Sequence, residues 1–136
     1  MKILTTETPN NEVLYSHAEL ITEDDKIDWD GMIEYCVKNK LAGLALPQIW
    51  ISKAGFVAYF FGKRNIIINP VIGKRSDTEI VSTEWCASIP WEKFDTTRNH
   101  TVIAKYNNEF HFITYPASIV FQHEYDHLNG ILLNSK

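Results

Sequence analysis

Residues 122–130 read QHEYDHLNG, and they place two histidines and a glutamate close together near the end of the chain. His123 and His127 are four residues apart, so on a helix they lie one above the other and can bind the same ion. Glu124 lies beside the first of them, where a carboxylate can accept a proton from a water at the metal. The stretch therefore predicts a helix that carries a metal site and a general base. Because an open catalytic site normally has three protein ligands, a further ligand must come from elsewhere.

Apolar residues around this pair favour the metal interpretation over a helix surface that merely carries polar side chains. From Tyr115 onward apolar residues recur at helical spacing, and Ile119, Val120 and Leu128 fall on the same side as the histidines. Histidines buried among such residues without a metal need other hydrogen-bonding partners. Gly130 is a suitable stop because its backbone can adopt a left-handed conformation. We therefore predict a metal-binding helix between Tyr115 and Gly130.

The third ligand has to lie upstream of this helix. Residues 128–136 read LNGILLNSK and contain no histidine, cysteine or acidic residue, so they lack the downstream ligand of many HExxH metalloproteases. Cys86 follows an apolar strand in EWCASIP, in which we expect Pro90 to end the strand. A thiolate with two imidazoles leaves one open position, which suits a catalytic metal. The remaining histidines, which we place at the surface, are His17, His100 and His111.

The rest of the chain predicts short strands between two helices. Residues 28–41 have apolar side chains at helical spacing, with Asp28 or Asp30 as the N-cap. After Gly55 the period changes to that of strands, with turns at 62–64 and 107–108 and strands at 55–61, 65–69, 78–85, 101–106 and 109–114. The pattern predicts a single α+β catalytic domain over residues 1–136: short antiparallel β-strands and hairpins packed around a C-terminal metal-binding helix, with one N-terminal helix.

Composition and charge limit the classes of function. The net charge is −4, from 17 acidic against 13 basic residues, and no basic run is present, so we expect no nucleic-acid binding. The longest apolar run, residues 56–61, is too short to cross a membrane, and the N-terminus lacks a signal-peptide pattern. Cys36 is predicted to be a small buried residue, and no disulfide is expected. We expect a soluble, cytoplasmic monomer.

Three motifs in the sequence resemble those of the peptide deformylases. That family carries GφGLAAPQ (φ is apolar), then EGCLS, then QHExDHLxG, in this order. Here residues 41–48 read LAGLALPQ, residues 84–88 read EWCAS, and residues 122–130 complete the third motif. The motifs together span residues 41–130, and the predicted order of strands and helices is similar to the family's fold.

The resemblance implies a hydrolase that removes the N-formyl group from formyl-methionyl peptides or nascent chains and releases formate. It implies one divalent metal ion held by Cys86, His123 and His127, with Fe(II) the expected ion and Zn(II), Ni(II) or Co(II) as alternatives. Glu124 is then the general base, and afterwards the acid that protonates the departing amine.

The resemblance also implies how the substrate is held. The side chain of Gln48 and the backbone N–H of Ala87 would donate hydrogen bonds to the oxyanion formed during hydrolysis. Gly43 would bind the extended peptide backbone in the manner of an added strand. The pocket for the methionine side chain would be lined by Ala42, Ile119 and Val120.

Acidic residues near the motifs are candidates for support of the metal ligands. We expect Glu84 to orient either Gln48 or the metal-binding loop, and Asp126 to pair with Arg98. For Asp126, a solvated carboxylate on the helix surface is an equal alternative.

Some motif positions depart from the family pattern. Leu41 and Leu46 replace a glycine and an alanine, and Ala87 replaces a leucine whose backbone N–H alone is needed. Trp85 replaces the glycine before the ligand cysteine, and strand alternation directs its indole away from Cys86. We expect this indole to cap the core or to shape the rim of the cleft, and thereby to affect substrate preference rather than chemistry.

The chain also stops soon after the metal helix, whereas many bacterial members continue into a long C-terminal helix. In this it resembles the compact forms carried by bacteriophages, which would place it in the cytoplasm of a bacterial host. We expect no ribosome contact through that helix.

Other functions compete with this interpretation. An HExxH metalloprotease is disfavoured by the missing downstream ligand. A non-catalytic metal-binding decoy needs neither a general base nor an oxyanion donor, so Glu124 and Gln48 argue against it. A structural zinc site normally has a fourth protein ligand, and none is evident in the sequence.

Overall fold

The computed structural model describes residues 1–135, in which helices and strands follow one another in the predicted order. Helix α1 spans Trp29–Asn39 and helix α2 spans Ala117–Leu128. The strands are β1 (Gly43–Ala45), β2 (Gly55–Phe60), β3 (Lys63–Ile68), β4 (Val71–Arg75), β5 (Glu79–Cys86), β6 (Ile89–Asn99), β7 (Thr101–Tyr106) and β8 (Glu109–Thr114). Short 3₁₀ helices occur at Glu12–Tyr15, Leu46–Ile49 and Leu133–Ser135. The α+β prediction is confirmed.

All strand pairs are antiparallel and form three groups within the described residues. The orders are β1-β2-β3, β4-β7-β8 and β5-β6. Both predicted hairpins are present, β2–β3 and β7–β8. Asn107 and Asn108 turn the second one with φ of 52° and 65°, as two-residue hairpin turns require. The first turns at Phe61 and Gly62, slightly earlier than predicted, again with both φ values positive.

The sequence did not predict β1, β4 and β6 as strands, and the expectation that Pro90 ends a strand is wrong. Pro90 lies at the start of β6, which pairs with β5. It is tolerated because the pairing register jumps there: Ile89 pairs with Cys86, whereas Trp85 pairs with Lys93. A proline lacks the N–H that a regular ladder needs, and a bulge removes that need.

Helix α2 provides the centre of the main core. Its fully buried Phe121 packs edge-on against Phe56 and Phe60 of β2, with ring centroids 5.4 and 6.4 Å apart. Ala45 of β1 and Leu128 of α2 belong to the same cluster. This packing holds one side of α2 against β1 and β2 and so determines where its histidines can lie.

The N-terminal helix follows its sequence signals closely. The Asp28 side chain accepts a hydrogen bond from the Gly31 N–H at 2.9 Å, which identifies the N-cap among the predicted candidates. Cys36 is fully buried, as predicted, and burial raises the pKa of its thiol to about 11. Both Cys36 and Cys86 are free thiols, in agreement with the expectation of no disulfide.

The predicted solvent-facing position of His111 is wrong. Its neighbours Phe110 and Phe112 are the exposed residues of β8, at 77% and 68% exposure. His111 is half-buried, and its ring stacks on Tyr106 with centroids 3.7 Å apart. The predicted alternation of side chains along β8 is correct. The two phenylalanines, however, lie on its exposed face, and His111 lies on the face that packs against the protein.

Among residues 1–135, no helix is both long enough and apolar enough to cross a membrane.

Candidate active site and metal centre

Cys86, His123 and His127 come together where the end of β5 meets α2. Their ligand atoms all lie within 4.8 Å of one another. The Sγ of Cys86 is 3.3 Å from Nε2 of His127. One turn of α2 separates the two histidines, as the spacing predicts. The thiol approaches them from the end of β5, where Cys86 is the last residue. A thiolate and two imidazoles at this separation fit a divalent metal of the zinc or iron type.

Glu84 fixes the orientation of His123. Its Oε1 accepts a hydrogen bond from Nδ1 of His123 at 2.9 Å, which leaves the other ring nitrogen, once it has lost its proton, to bind a metal. Glu84 also accepts two hydrogen bonds from Arg98, at 2.9 and 2.7 Å. Of the two partners considered for Glu84, it therefore contacts the metal site and not Gln48.

Arg98 connects this carboxylate to a second one. Its Nη1 donates to Asp126 Oδ2 at 2.6 Å, which is the predicted pair. Arg98 is 3% exposed, so the guanidinium is a buried charge between two carboxylates. Burial alone raises the pKa of Glu84, but the hydrogen bonds from His123 and Arg98 outweigh it and bring the pKa to about 2. Glu84 is therefore ionised at neutral pH.

Burial shifts the pKa of His127 downward, whereas it shifts that of Glu84 upward. It lowers the pKa of this imidazole well below its usual value, and the nearby charges of His123 and Arg98 lower it further. His127 is therefore neutral, which is the form that binds metals. Its Nδ1 has no hydrogen-bond partner within the described part of the chain.

Glu124 is buried beside the ligands. It is 4% exposed, and its Oε1 has no hydrogen-bond partner among residues 1–135. Burial raises the pKa of Glu124 to about 7. A carboxyl group with this pKa can both accept and release a proton near neutral pH. The side chain packs directly against Gly43, where a Cβ atom would lie only 2.6 Å from Oε2 of Glu124.

Gln48 is held with its amide nitrogen toward Cys86. Its Oε1 accepts from the Ala45 N–H at 2.9 Å, and its Nε2 donates to Oγ of Ser88 at 3.0 Å and approaches the Cys86 Sγ at 3.6 Å. Ser88 is fully buried and was not singled out from the sequence. Its position two residues after the ligand cysteine, in EWCAS, is the signal that could have identified it.

A cleft of ≈ 860 Å³ opens onto these groups. His127, a predicted ligand, is buried and does not line it. The nine other predicted site residues do: Ala42, Gly43, Gln48, Cys86, Ala87, Ile119, Val120, His123 and Glu124. Sequence reasoning missed the aromatic part of the wall, which comes from the β2–β3 hairpin and the start of α2: Tyr59, Phe60, Phe61 and Tyr115. These residues belong to no motif, so only the folded chain brings them to the site.

The chain is similar in sequence to the peptide deformylases. The model of the polypeptide deformylase family matches residues 1–136. The peptide deformylase of Pseudothermotoga lettingae is 41% identical over 96 residues, covering 66% of this chain and 55% of that protein. The chain thus spans about half the length of that relative. The peptide deformylase of Thermotoga neapolitana is 35% identical over 130 residues, covering 89% of this chain and 79% of its own.

Solved structures show the same architecture. The crystal structure of peptide deformylase from Thermotoga maritima superposes with a TM-score of 0.90 at 31% identity, covering 99% of this chain and 95% of that one. A class I type b peptide deformylase from Acinetobacter baumannii, solved with Met-Ala-Ser bound, gives 0.87 at 23% identity, with 98% and 96% coverage. The latter likeness concerns the fold alone. This chain belongs to the polypeptide deformylase family of metal-dependent hydrolases.

Proposed function

We propose that this chain hydrolyses the N-formyl group of formyl-methionyl peptides and releases formate. The observation that carries the proposal is the convergence of Cys86, His123 and His127 with Glu124 and Gln48 on one cleft, in a chain of the deformylase family. The rival metalloprotease is not favoured because the chain belongs to the deformylase family, and the decoy is not favoured because a buried carboxyl group is present beside the proposed ligands.

The metal would be held by Cys86, His123 and His127. When bound, a divalent ion supplies a Lewis acid that polarises the formyl carbonyl and acidifies water. We propose Fe(II) as the ion, with Zn(II), Ni(II) or Co(II) able to use the same ligands. The carboxylate of Glu84 supports the site by fixing the ring of His123.

Glu124 is the proposed proton carrier. Its carboxylate accepts a proton from the attacking water and then donates it to the nitrogen that leaves as the new amino terminus. Its burial supports both steps, because the raised pKa of about 7 lets one group act as base and acid in a single turnover.

Gln48 and the backbone N–H of Ala87 are the proposed donors to the oxyanion. The hydrogen bonds of Gln48 to Ala45 and Ser88 hold its amide rigidly, so no reorganisation is needed when negative charge develops. Ala87 lines the cleft directly after the ligand cysteine. Removal of one such donor typically costs about two to three orders of magnitude in rate.

The peptide would bind as an added strand between β1 and β5, each of which has one edge without a neighbouring strand among residues 1–135. Gly43 lies on β1, the edge strand of its sheet, and would exchange backbone hydrogen bonds with the substrate. The methionine side chain would enter the apolar pocket formed by Ala42, Ile119 and Val120, which line the cleft. We further propose that residues 1–136 act as one catalytic domain, as a monomer, on formyl-methionyl peptides or nascent chains in the cytoplasm.

Formate release from formyl-Met-Ala-Ser by anaerobically purified protein tests the proposal. We expect Glu124→Ala to reduce kcat by about 10²–10⁴-fold because the proposed proton carrier is lost. Metal content measured on the same samples should stay unchanged. Glu109→Ala, which removes an exposed carboxylate at the β7–β8 turn, is the matched control and should retain full activity. A fully metallated wild type that releases no formate would identify a decoy.

The oxygen sensitivity expected of an iron site can be tested by stability in air. We expect the Fe(II)-loaded protein to lose activity faster than the Ni(II)- or Co(II)-loaded protein, because ferrous iron and its thiolate ligand are both oxidisable. The measurement is residual formate release against time in aerated buffer. Equal rates of decay would argue against iron oxidation as the cause of inactivation.

A further inference from the structure

Trp85 is a large aromatic residue immediately before the ligand Cys86, and it lines the cleft. Its side chain is 43% exposed. The indole N–H donates to the carbonyl of Pro90 at 3.0 Å, within the bulged part of the β5–β6 hairpin. The ring is therefore exposed but tethered. A tethered ring loses little conformational entropy when a ligand packs on it.

Strand alternation places this indole on the opposite side of β5 from the metal ligands. Glu84 and Cys86 are buried and point toward α2, whereas Trp85 between them points outward. Trp85 therefore lies beside the reacting groups without being able to take part in the proton transfers. Its position suits contact with a part of the substrate close to the formyl group but outside the methionine pocket.

An extended substrate has the same alternation as the strands that it joins. β5 pairs with β6 on one side, and its other edge carries no strand among residues 1–135. Gly43, on the edge strand β1, lines the same cleft as Trp85. If the methionine side chain points toward Ile119 and Val120 of α2, the side chain of the next residue points away from α2. That is the side of β5 on which the indole lies.

We propose that Trp85 contacts the side chain of the residue after methionine and selects apolar and aromatic residues at that position. This inference rests on the proposed function. Other exposed aromatic rings continue the apolar rim of the cleft and support an apolar preference: Tyr59, Phe61 and Tyr115, at 50%, 62% and 49% exposure. An acidic preference is the competing outcome, because Lys93 is the cross-strand partner of Trp85.

The inference is tested with formyl-Met-X-Ser peptides in which X is Gly, Ala, Leu, Phe or Asp. We expect kcat/KM for X = Phe to exceed that for X = Gly by about threefold to tenfold, mainly through KM, as expected for one aromatic contact. Trp85→Ala should reduce this ratio to about twofold or less, whereas Trp85→Phe should retain most of it. The control Trp91→Ala removes a tryptophan that is 54% exposed and does not line the cleft, and it should leave the ratio unchanged.

Binding of the product peptides Met-Phe-Ser and Met-Gly-Ser, measured by calorimetry, separates this inference from the proposed function. A preference for Met-Phe-Ser that depends on Trp85 supports the inference even if no formate is released, in which case only the deformylase proposal fails. Formate release with equal kcat/KM for X = Phe and X = Gly overturns the inference alone. A preference for X = Asp, or a Phe preference that survives Trp85→Ala, overturns it as well.

Discussion

At the level of single residues, Gly43 determines where Glu124 can lie. The carboxylate rests against the Cα of Gly43, and any Cβ there would come within 2.6–2.9 Å of its oxygen and carbon atoms. This requirement is steric, since Gly43 does not have a positive φ. The glycine in the GLA sequence of β1 is thus needed for close approach to the proposed base as well as to the substrate backbone.

Gly43→Ala should therefore impair catalysis through Glu124. We expect kcat to fall by about 10–100-fold, because a displacement of about 1 Å in a reacting group can cost that much. Gly73→Ala, also in a strand, is the control: its added Cβ would meet nothing closer than the Ile103 carbonyl at 3.8 Å. The assay is formate release alongside thermal unfolding, and a Gly43→Ala enzyme with normal kcat would contradict this packing account.

At the level of elements, the end of α2 is fixed by contact with the N-terminal segment. Gly130 follows the helix with φ of 71°, and a Cβ at this position would lie 2.5 Å from the backbone of Tyr15. The Ala18 N–H also donates to the carbonyl of Leu128 at 2.9 Å. The N-terminal segment therefore packs against the C-terminus of the helix that carries the two proposed histidine ligands.

A pair of glycine substitutions separates backbone strain from this contact. Gly62 has a similar φ of 76° but nothing within 4 Å of an added Cβ. We expect Gly62→Ala to lower the free energy of unfolding by about 1–2 kcal/mol through strain alone. Gly130→Ala should cost more, because the Tyr15 backbone must also move. Urea denaturation measures the free energy of unfolding of both variants. An equal decrease in the two would show that the Tyr15 backbone moves aside at no cost.

At the scale of the whole molecule, buried charges connect β5, β6 and α2 at the proposed metal centre. Arg98 of β6 binds Glu84 of β5 and Asp126 of α2, and Glu84 in turn binds His123. Each of these elements contributes to the site or to its support. The network therefore couples metal-ligand orientation to the packing of the hairpin against the helix.

Arg98→Ala should weaken both folding and metal binding. Removing one partner of a buried ion pair typically costs about 3–5 kcal/mol, because the carboxylates remain buried without their counter-charge. Loss of support for His123 should reduce metal affinity by about 10–100-fold. Lys93→Ala, an exposed cation on the same strand, is the control. Unchanged metal content, activity and stability in Arg98→Ala would show that the network has no such role.

The sequence by itself determined the features that depend on residues close to one another along the chain. Helical spacing places His123 and His127 on one side of α2, and paired asparagines specify the β7–β8 turn. The Asp28 cap and the burial of Cys36 follow from the same local rules. Its chemistry and its place after a strand singled out Cys86, and motif resemblance added Gln48. The structure brings Cys86 to the histidines and Gln48 to Cys86.

Only the tertiary structure decided which surfaces face each other. Four features depend on contacts between different segments of the chain: the buried face of β8, the bulge that accommodates Pro90, the hydrogen bond of Gln48 to Ser88 and that of the Trp85 indole to Pro90. Such pairing is set by the burial of whole faces against each other. A strand's sequence gives the period of its side chains but not which face finds a partner.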